Sequence, residues 1–184
     1  MWGVVLALLA FGQLAAQNPG LVWDGSAVHP GCIRELTTDL ADPAPVSAAI
    51  DLQGCQRSNR YTSAIEVEGS VLRWRDPNGG GRGYFEYEYL GALASGVHIV
   101  RVGESGGGSG VFQSLLFLRT VVGEVLEDGR QRVRYLLTLI GSENLGDRAQ
   151  VSVELKGTEI TIRRRQFRGA GGWGPEEIIR RRFE

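Results

Sequence analysis

The stretch AIEVEGSVLRWR, residues 64–75, alternates apolar and charged residues on both sides of Gly69-Ser70. A period of two marks a strand with one buried face. Glycine at the first turn position suits a two-residue type II′ turn. Folding the stretch there sets Ile65 and Val67 beside Trp74 and Leu72 on one face. Glu66 then meets Arg73 on the other. An antiparallel hairpin that is wet on one side needs this division. The pattern recurs in VSVELKGTEITIR, residues 151–163, around Lys156-Gly157. There Val151, Val153 and Leu155 share a face with Ile160 and Ile162. A third hairpin is signalled by Asp128-Gly129, with Glu127 opposite Arg130.

Between these hairpins lie GYFEYEYL (83–90), VHIVRVG (97–103) and GVFQSLLFLRTVV (110–122). Ala64 to Arg164 therefore holds about eight strands on short turns, and no long helical pattern intervenes. The expectation is an all-β antiparallel meander, closed as a barrel or flattened as a sandwich. A short helix precedes it. In HPGCIRELTTDL, Ile33, Leu36 and Leu40 fall at i, i+3 and i+7, and ADPAP ends the run. In VSAAIDLQGC, Val46, Ala48, Ile50 and Leu52 alternate and predict a strand. Residues 17–60 and 61–167 read as one domain, with an Arg-rich segment, 168–184, after it. Its ending EEIIRRRFE fits a last strand or a short helix.

Residues 2–12 are all apolar or glycine, and Ala15 and Ala16 follow. That is the shape of a secretory signal peptide over residues 1–16, although no lysine or arginine precedes the run. The run falls short of the about 20 residues that span a bilayer. The expectation is an exported protein, periplasmic or secreted, with no membrane span after cleavage. In an oxidising compartment the two cysteines, Cys32 and Cys55, predict one disulfide tying the helix to the strand that follows it. Two cysteines without CxxC spacing and two histidines supply too few ligands for a zinc site. No cofactor is implied.

The formal net charge is −1, so no global field favours nucleic acid. Residues 163–184 carry seven arginines against three glutamates, and Lys156 is the chain's one lysine. The clusters Arg163–Arg165 and Arg180–Arg182 suit anionic headgroups or polysaccharide, or a solvated face.

Five candidate sites arise. ESGGGSGVF, residues 104–112, has glycine at 106, 107, 108 and 110 between two apolar runs. Successive glycine amides can cradle an anion. The loop lacks the Gly-Lys-Ser/Thr ending and leads into a strand, which argues against a nucleotide. It reads as a strand connection or as a contact loop made of Ser105, Gly106, Gly107, Gly108, Ser109, Gly110 and Phe112. DPNGGGRG, 76–83, offers Asp76 and Asn78 to calcium, but Gly80 and Tyr87 stand where further oxygens belong, so a wide turn is expected. Glu86 and Glu88 share a strand face opposite Phe85, Tyr87 and Tyr89, which predicts aromatics inward and glutamates outward rather than a glycosidase pair. His98 alternates with Val97 and Ile99 and is expected on a polar face; His29 before Pro30 is expected to cap the helix. No Gly-x-Ser-x-Gly elbow is present. Asp147 and Arg148 are expected to pair in a turn.

SGGGSGVFQSLLFL followed by LGDRAQVSVELKGTEITI resembles segments of uncharacterised exported bacterial β-proteins. SGVF, 109–112, is similar to the Ser-Gly-x-Tyr loop of periplasmic lysozyme inhibitors, with Phe112 in the tyrosine place. That resemblance implies a loop pushed into an enzyme cleft, with Ser109 bonding a catalytic carboxylate of the target. The expected function is a non-enzymatic binding protein whose partner is a protein or an envelope component. The alternatives are a hydrolase inhibitor using the glycine loop and a lipocalin-like carrier. A carrier would turn Phe85, Tyr87, Tyr89, Phe112 and Phe117 toward a small apolar ligand.

Overall fold

The computed structural model describes residues 20–37, 48–57, 61, 64–75 and 82–184. Residues 1–16, where the signal peptide is expected, lie outside the described residues, as do Asp76, Asn78 and Gly80.

The chain begins with a small hairpin, β1 (Val22–Trp23) and β2 (Ser26–Ala27), and the helix α1 (Pro30–Arg34). The strand β3 (Ala49–Asp51) and the helix α2 (Leu52–Arg57) follow. Then come β4 (Ile65–Glu68), β5 (Val71–Trp74), β6 (Tyr84–Ala92), β7 (Val97–Ser105), β8 (Phe112–Glu127) and β9 (Arg130–Asp147). The last strands are β10 (Gln150–Lys156), β11 (Glu159–Phe167) and β12 (Trp173–Arg182). The protein is all-β: a curled, seven-stranded antiparallel half-barrel of order β3-β9-β8-β7-β6-β5-β4 and a three-stranded sheet β10-β11-β12.

The two-residue turns expected at Gly69-Ser70 and Asp128-Gly129 hold, whereas the hairpin expected at Lys156-Gly157 turns one residue later, which still keeps its apolar residues on one face. Ile65 faces Trp74, Glu66 faces Arg73 and Val67 faces Leu72. Val153 faces Ile162 and Leu155 faces Ile160, with the turn at Gly157-Thr158. Glu127 faces Arg130 across a turn in which Asp128 and Gly129 both have positive φ, at 52° and 72°. That backbone fits the right-handed twist of a hairpin.

The meander nevertheless divides. Val97 and Ile99 of β7 point to one face and Val100 and Val102 to the other, and all four are buried. A sheet that is apolar on both faces needs a layer on each. One face is covered by the N-terminal segment, through Val28, Ile33, Leu36 and Ile50. The other is covered by the small sheet, through Ile160 and Ile162 on Leu115 and Phe117. Burying each of these isoleucines contributes roughly 1.5–3 kcal/mol.

Cys32 of α1 and Cys55 of α2 form a disulfide with a Cα–Cα distance of 6.1 Å. His29 caps α1, its Nδ1 accepting from the Gly31 amide at 3.0 Å. Two local expectations are corrected. The helix stops at Arg34, with Leu36 buried in the turn beyond it, while Leu40 is outside the described residues. The strand spans only Ala49–Asp51, because Asp51 accepts from the Gln53 amide and starts α2 at Leu52. Residues 173–182 form a strand rather than a helix, since Ile179 pairs with Ile162 over the same core. Among the described residues, no helix is long and apolar enough to cross a membrane.

Candidate functional site

The glycine-rich segment joins β7 to β8 at one end of the half-barrel. Ser105 closes β7 and is buried, and its hydroxyl accepts from the Gly107 amide at 3.3 Å. Gly107 has φ +92°, and a Cβ there would lie 2.6 Å from Arg82 Cβ. Only glycine accommodates both the backbone and that approach. Residues 106–109 are exposed. On the far side the Val111 amide donates to Asp147 Oδ1 at 2.9 Å, and the Arg148 amide donates to the Val111 carbonyl at 2.8 Å. The loop is thus anchored at Ser105, at Gly107 and at Val111, and its crest carries Gly108 and Ser109. The described end of the 76–83 loop reaches this segment, where Arg82 and Gly83 lie against Gly107 and Ser105.

Beyond the loop the surface turns aromatic. Phe112 is 49% exposed and pairs with Asp147 across the strands. Arg148 holds Asp147 Oδ2 at 2.9 Å and lays its guanidinium 4.1 Å from the Phe167 ring centroid. Phe167 meets Trp173 edge-on at 5.4 Å, and Trp173 is 36% exposed. The Arg148 guanidinium, followed by the Val111 amide, pulls the Asp147 pKa below its ordinary value. The expected Asp147–Arg148 pair therefore forms, and it links the glycine loop to an Arg–Phe–Trp stack.

Sequence reasoning missed this stack, because its members come from three separate segments. The one local signal was Trp173 inside GAGGWGP, a large aromatic in a loop with little else to bury it. Beside the loop base is a cleft of about 130 Å³ lined by Tyr84, Glu104 and Ser105, with Arg34 bonded to Glu104 at 2.8 Å. That is below the roughly 300 Å³ at which small-molecule pockets begin.

The other candidates are engaged structurally. Glu86 accepts from Arg73 at 2.7 Å and Glu88 from Arg101 and Ser70. Phe85 and Tyr87 are buried on the opposite face, as the alternation required. His98 is not on a polar face: it is half-buried on the face shared with Val100 and Val102, with Nδ1 3.1 Å from the Tyr89 hydroxyl. The covering N-terminal segment removes that face from water, and burial lowers the His98 pKa. Arg164 shares its face with Ile162 and binds Glu143 and Glu177, whereas Arg163 and Arg165 are exposed on the opposite face. Among the described residues, no group of three or more His, Cys, Asp or Glu side chains is arranged to hold a metal ion. The aromatics assigned to a carrier cavity are split: Phe85 and Tyr87 pack on one face of the large sheet, Phe117 on the other, and Phe112 faces outward.

No protein-family model matches the chain, and no curated protein or solved structure matches it.

Proposed function

We propose that this is an exported, non-enzymatic binding protein of the cell envelope or the medium, which engages a partner protein with the loop end of its half-barrel. The carrying observation is the anchored, exposed loop 106–109 beside Phe112 and the Arg148–Phe167–Trp173 stack. A preordered loop loses little entropy on binding, and exposed aromatic and arginine side chains are the usual anchors of interfaces. The apolar run at 2–12 and the Cys32–Cys55 disulfide support export. The divided aromatics offer no support to the carrier reading.

The test is affinity capture from envelope and secreted fractions with the purified protein, beside a Phe112→Ser/Trp173→Ser variant. Phe112 is half exposed, whereas Trp173 is 36% exposed and packs on Phe167, so the changes cost roughly 1–3 kcal/mol each and the variant's fold is checked by circular dichroism before capture. A partner retained by the wild type and lost with the folded variant supports the reading. Equal capture by both proteins, or none by either, overturns it. A lysozyme assay in parallel, with Ser109→Ala as a further variant, shows whether the partner is a hydrolase and the loop its inhibitor.

A further inference from the structure

The outer edge of β12 carries a charge pattern complementary to itself. Among the described residues β12 pairs with β11 along one side and with no other strand. The Phe183 amide donates to the Thr158 carbonyl at 2.9 Å, one step beyond the Arg182–Glu159 pair. Hydrogen-bonded pairs recur at every second residue of an antiparallel ladder. Arg181, Ile179 and Glu177 therefore direct their backbone groups at β11. Arg182, Arg180, Ile178 and Glu176 direct theirs outward, with the register unbroken from Arg182 to Glu176.

Proteins commonly guard such an edge with charged side chains, a proline or a bulge that hinder pairing with a second copy. β12 instead reads Glu176-Glu177-Ile178-Ile179-Arg180-Arg181-Arg182. We propose that β12 is a self-pairing edge, joining a second copy of this chain in an antiparallel, continuous six-stranded sheet. With the two-fold axis at Ile179, Glu177 stands opposite Arg181 of the second copy and Glu176 opposite its Arg182. Symmetry doubles both, which makes four cross-chain ion pairs, and the outward backbone groups form about eight hydrogen bonds.

The pattern selects this register. Moving the axis to Ile178 leaves only the Glu176–Arg180 pair and its symmetry mate. Moving it to Arg180 sets that arginine against itself, and parallel pairing sets arginine against arginine along the strand. The side chains are already oriented by their own sheet: Arg164 holds Glu177 at 2.8 Å through Oε2, and Glu143 holds Arg181 at 3.0 Å. Ile178, 46% exposed, loses water on pairing. An edge contact of this size falls at the small end of specific interfaces, so the dimer is weak, with Kd on the order of 10–100 μM, and salt-sensitive.

The test is sedimentation velocity of the purified protein across concentration and at two salt levels. Three variants accompany it. Ile178→Pro removes an outward N–H that makes no bond to β11, so the fold is spared and pairing is blocked. Glu176→Arg/Glu177→Arg makes the edge uniformly basic, and Arg181→Glu/Arg182→Glu makes it mostly acidic. The expectation is a wild-type dimer that weakens at least tenfold in each variant, and a heterodimer when the basic and acidic variants are mixed. A wild type that stays monomeric at about 1 mM overturns the proposal. So does Ile178→Pro dimerising like the wild type, or a folded basic–acidic mixture that forms no heterodimer.

Discussion

Replacing Gly107 with alanine tests whether the glycine loop is built or merely slack. Gly107 has φ +92°, and its new Cβ would lie 2.6 Å from Arg82 Cβ and 3.1 Å from the Arg82 carbonyl carbon. Left-handed backbone costs an L-residue roughly 1–2 kcal/mol. Carbon contacts are comfortable at roughly 3.5–4.0 Å, so the two segments must part by about 1 Å. Relieving that overlap adds about another 1–2 kcal/mol, comparable to overpacking in a core. The sum is about 2–4 kcal/mol. Gly108 is the matched control, since its φ is not positive and nothing lies within 4 Å of its Cβ position. Alanine there reduces only the freedom of the unfolded chain and is neutral or stabilising by up to about 1 kcal/mol. In a chain of this size 1 kcal/mol moves Tm by roughly 2–4 °C. Thermal unfolding followed by circular dichroism should therefore put Gly107→Ala about 4–16 °C below wild type and Gly108→Ala at or slightly above it. Matching midpoints for the two variants would refute the packed-loop reasoning, because a slack connection treats both positions alike.

The remaining expectations concern the N-terminal segment and the sheet face it covers. Cys32→Ser/Cys55→Ser should lower stability by about 3 kcal/mol in denaturant titrations, and reduction of the wild type should reproduce the loss. Tyr87 is fully buried and donates from its hydroxyl to the Val28 carbonyl at 2.7 Å, fastening the N-terminal segment to β6. Tyr87→Phe leaves that carbonyl without its donor and should cost about 1–3 kcal/mol, with amide exchange accelerated at Val28 before the strands. Burial holds the His98 pKa below 6.5, so the unfolded chain binds this proton more readily than the fold does. Stability from this group is then complete above pH 6.5 and falls as the pH drops from there to the folded pKa. Chemical denaturation across pH 5–8 should show that slope, and His98→Gln should reduce it.

The hairpins were legible because a strand's side chains alternate strictly and a two-residue turn demands particular backbone angles. Ile65, Val67, Leu72 and Trp74 could share a face in only one register, and Asp128-Gly129 could turn in only one way. The disulfide followed from two cysteines and an apolar N-terminal run in the sequence. The anchored character of the glycine loop was not legible, because its contacts come from Arg82, 25 residues before Gly107, and from Asp147, 40 residues after it. His98 was misplaced for a related reason. Alternation along β7 could not reveal that the N-terminal segment would cover the second face.

By itself, then, the sequence determined the strands, their turns and the pairing of neighbours, since these depend on interactions between residues close in the chain. Tertiary structure decided where the meander breaks. Arg148, a non-glycine residue at φ +46°, turns the chain out of the large sheet; GDR marks a turn, but nothing in it marks that the next strand joins a different sheet. The reason is the burial of two apolar faces at once: a sheet with Val97 and Ile99 on one side and Val100 and Val102 on the other needs cover on both. β10, β11 and β12 supply one of those covers. In doing so they carry Phe167 and Trp173 to the loop end and leave the outer edge of β12 without a partner strand among the described residues.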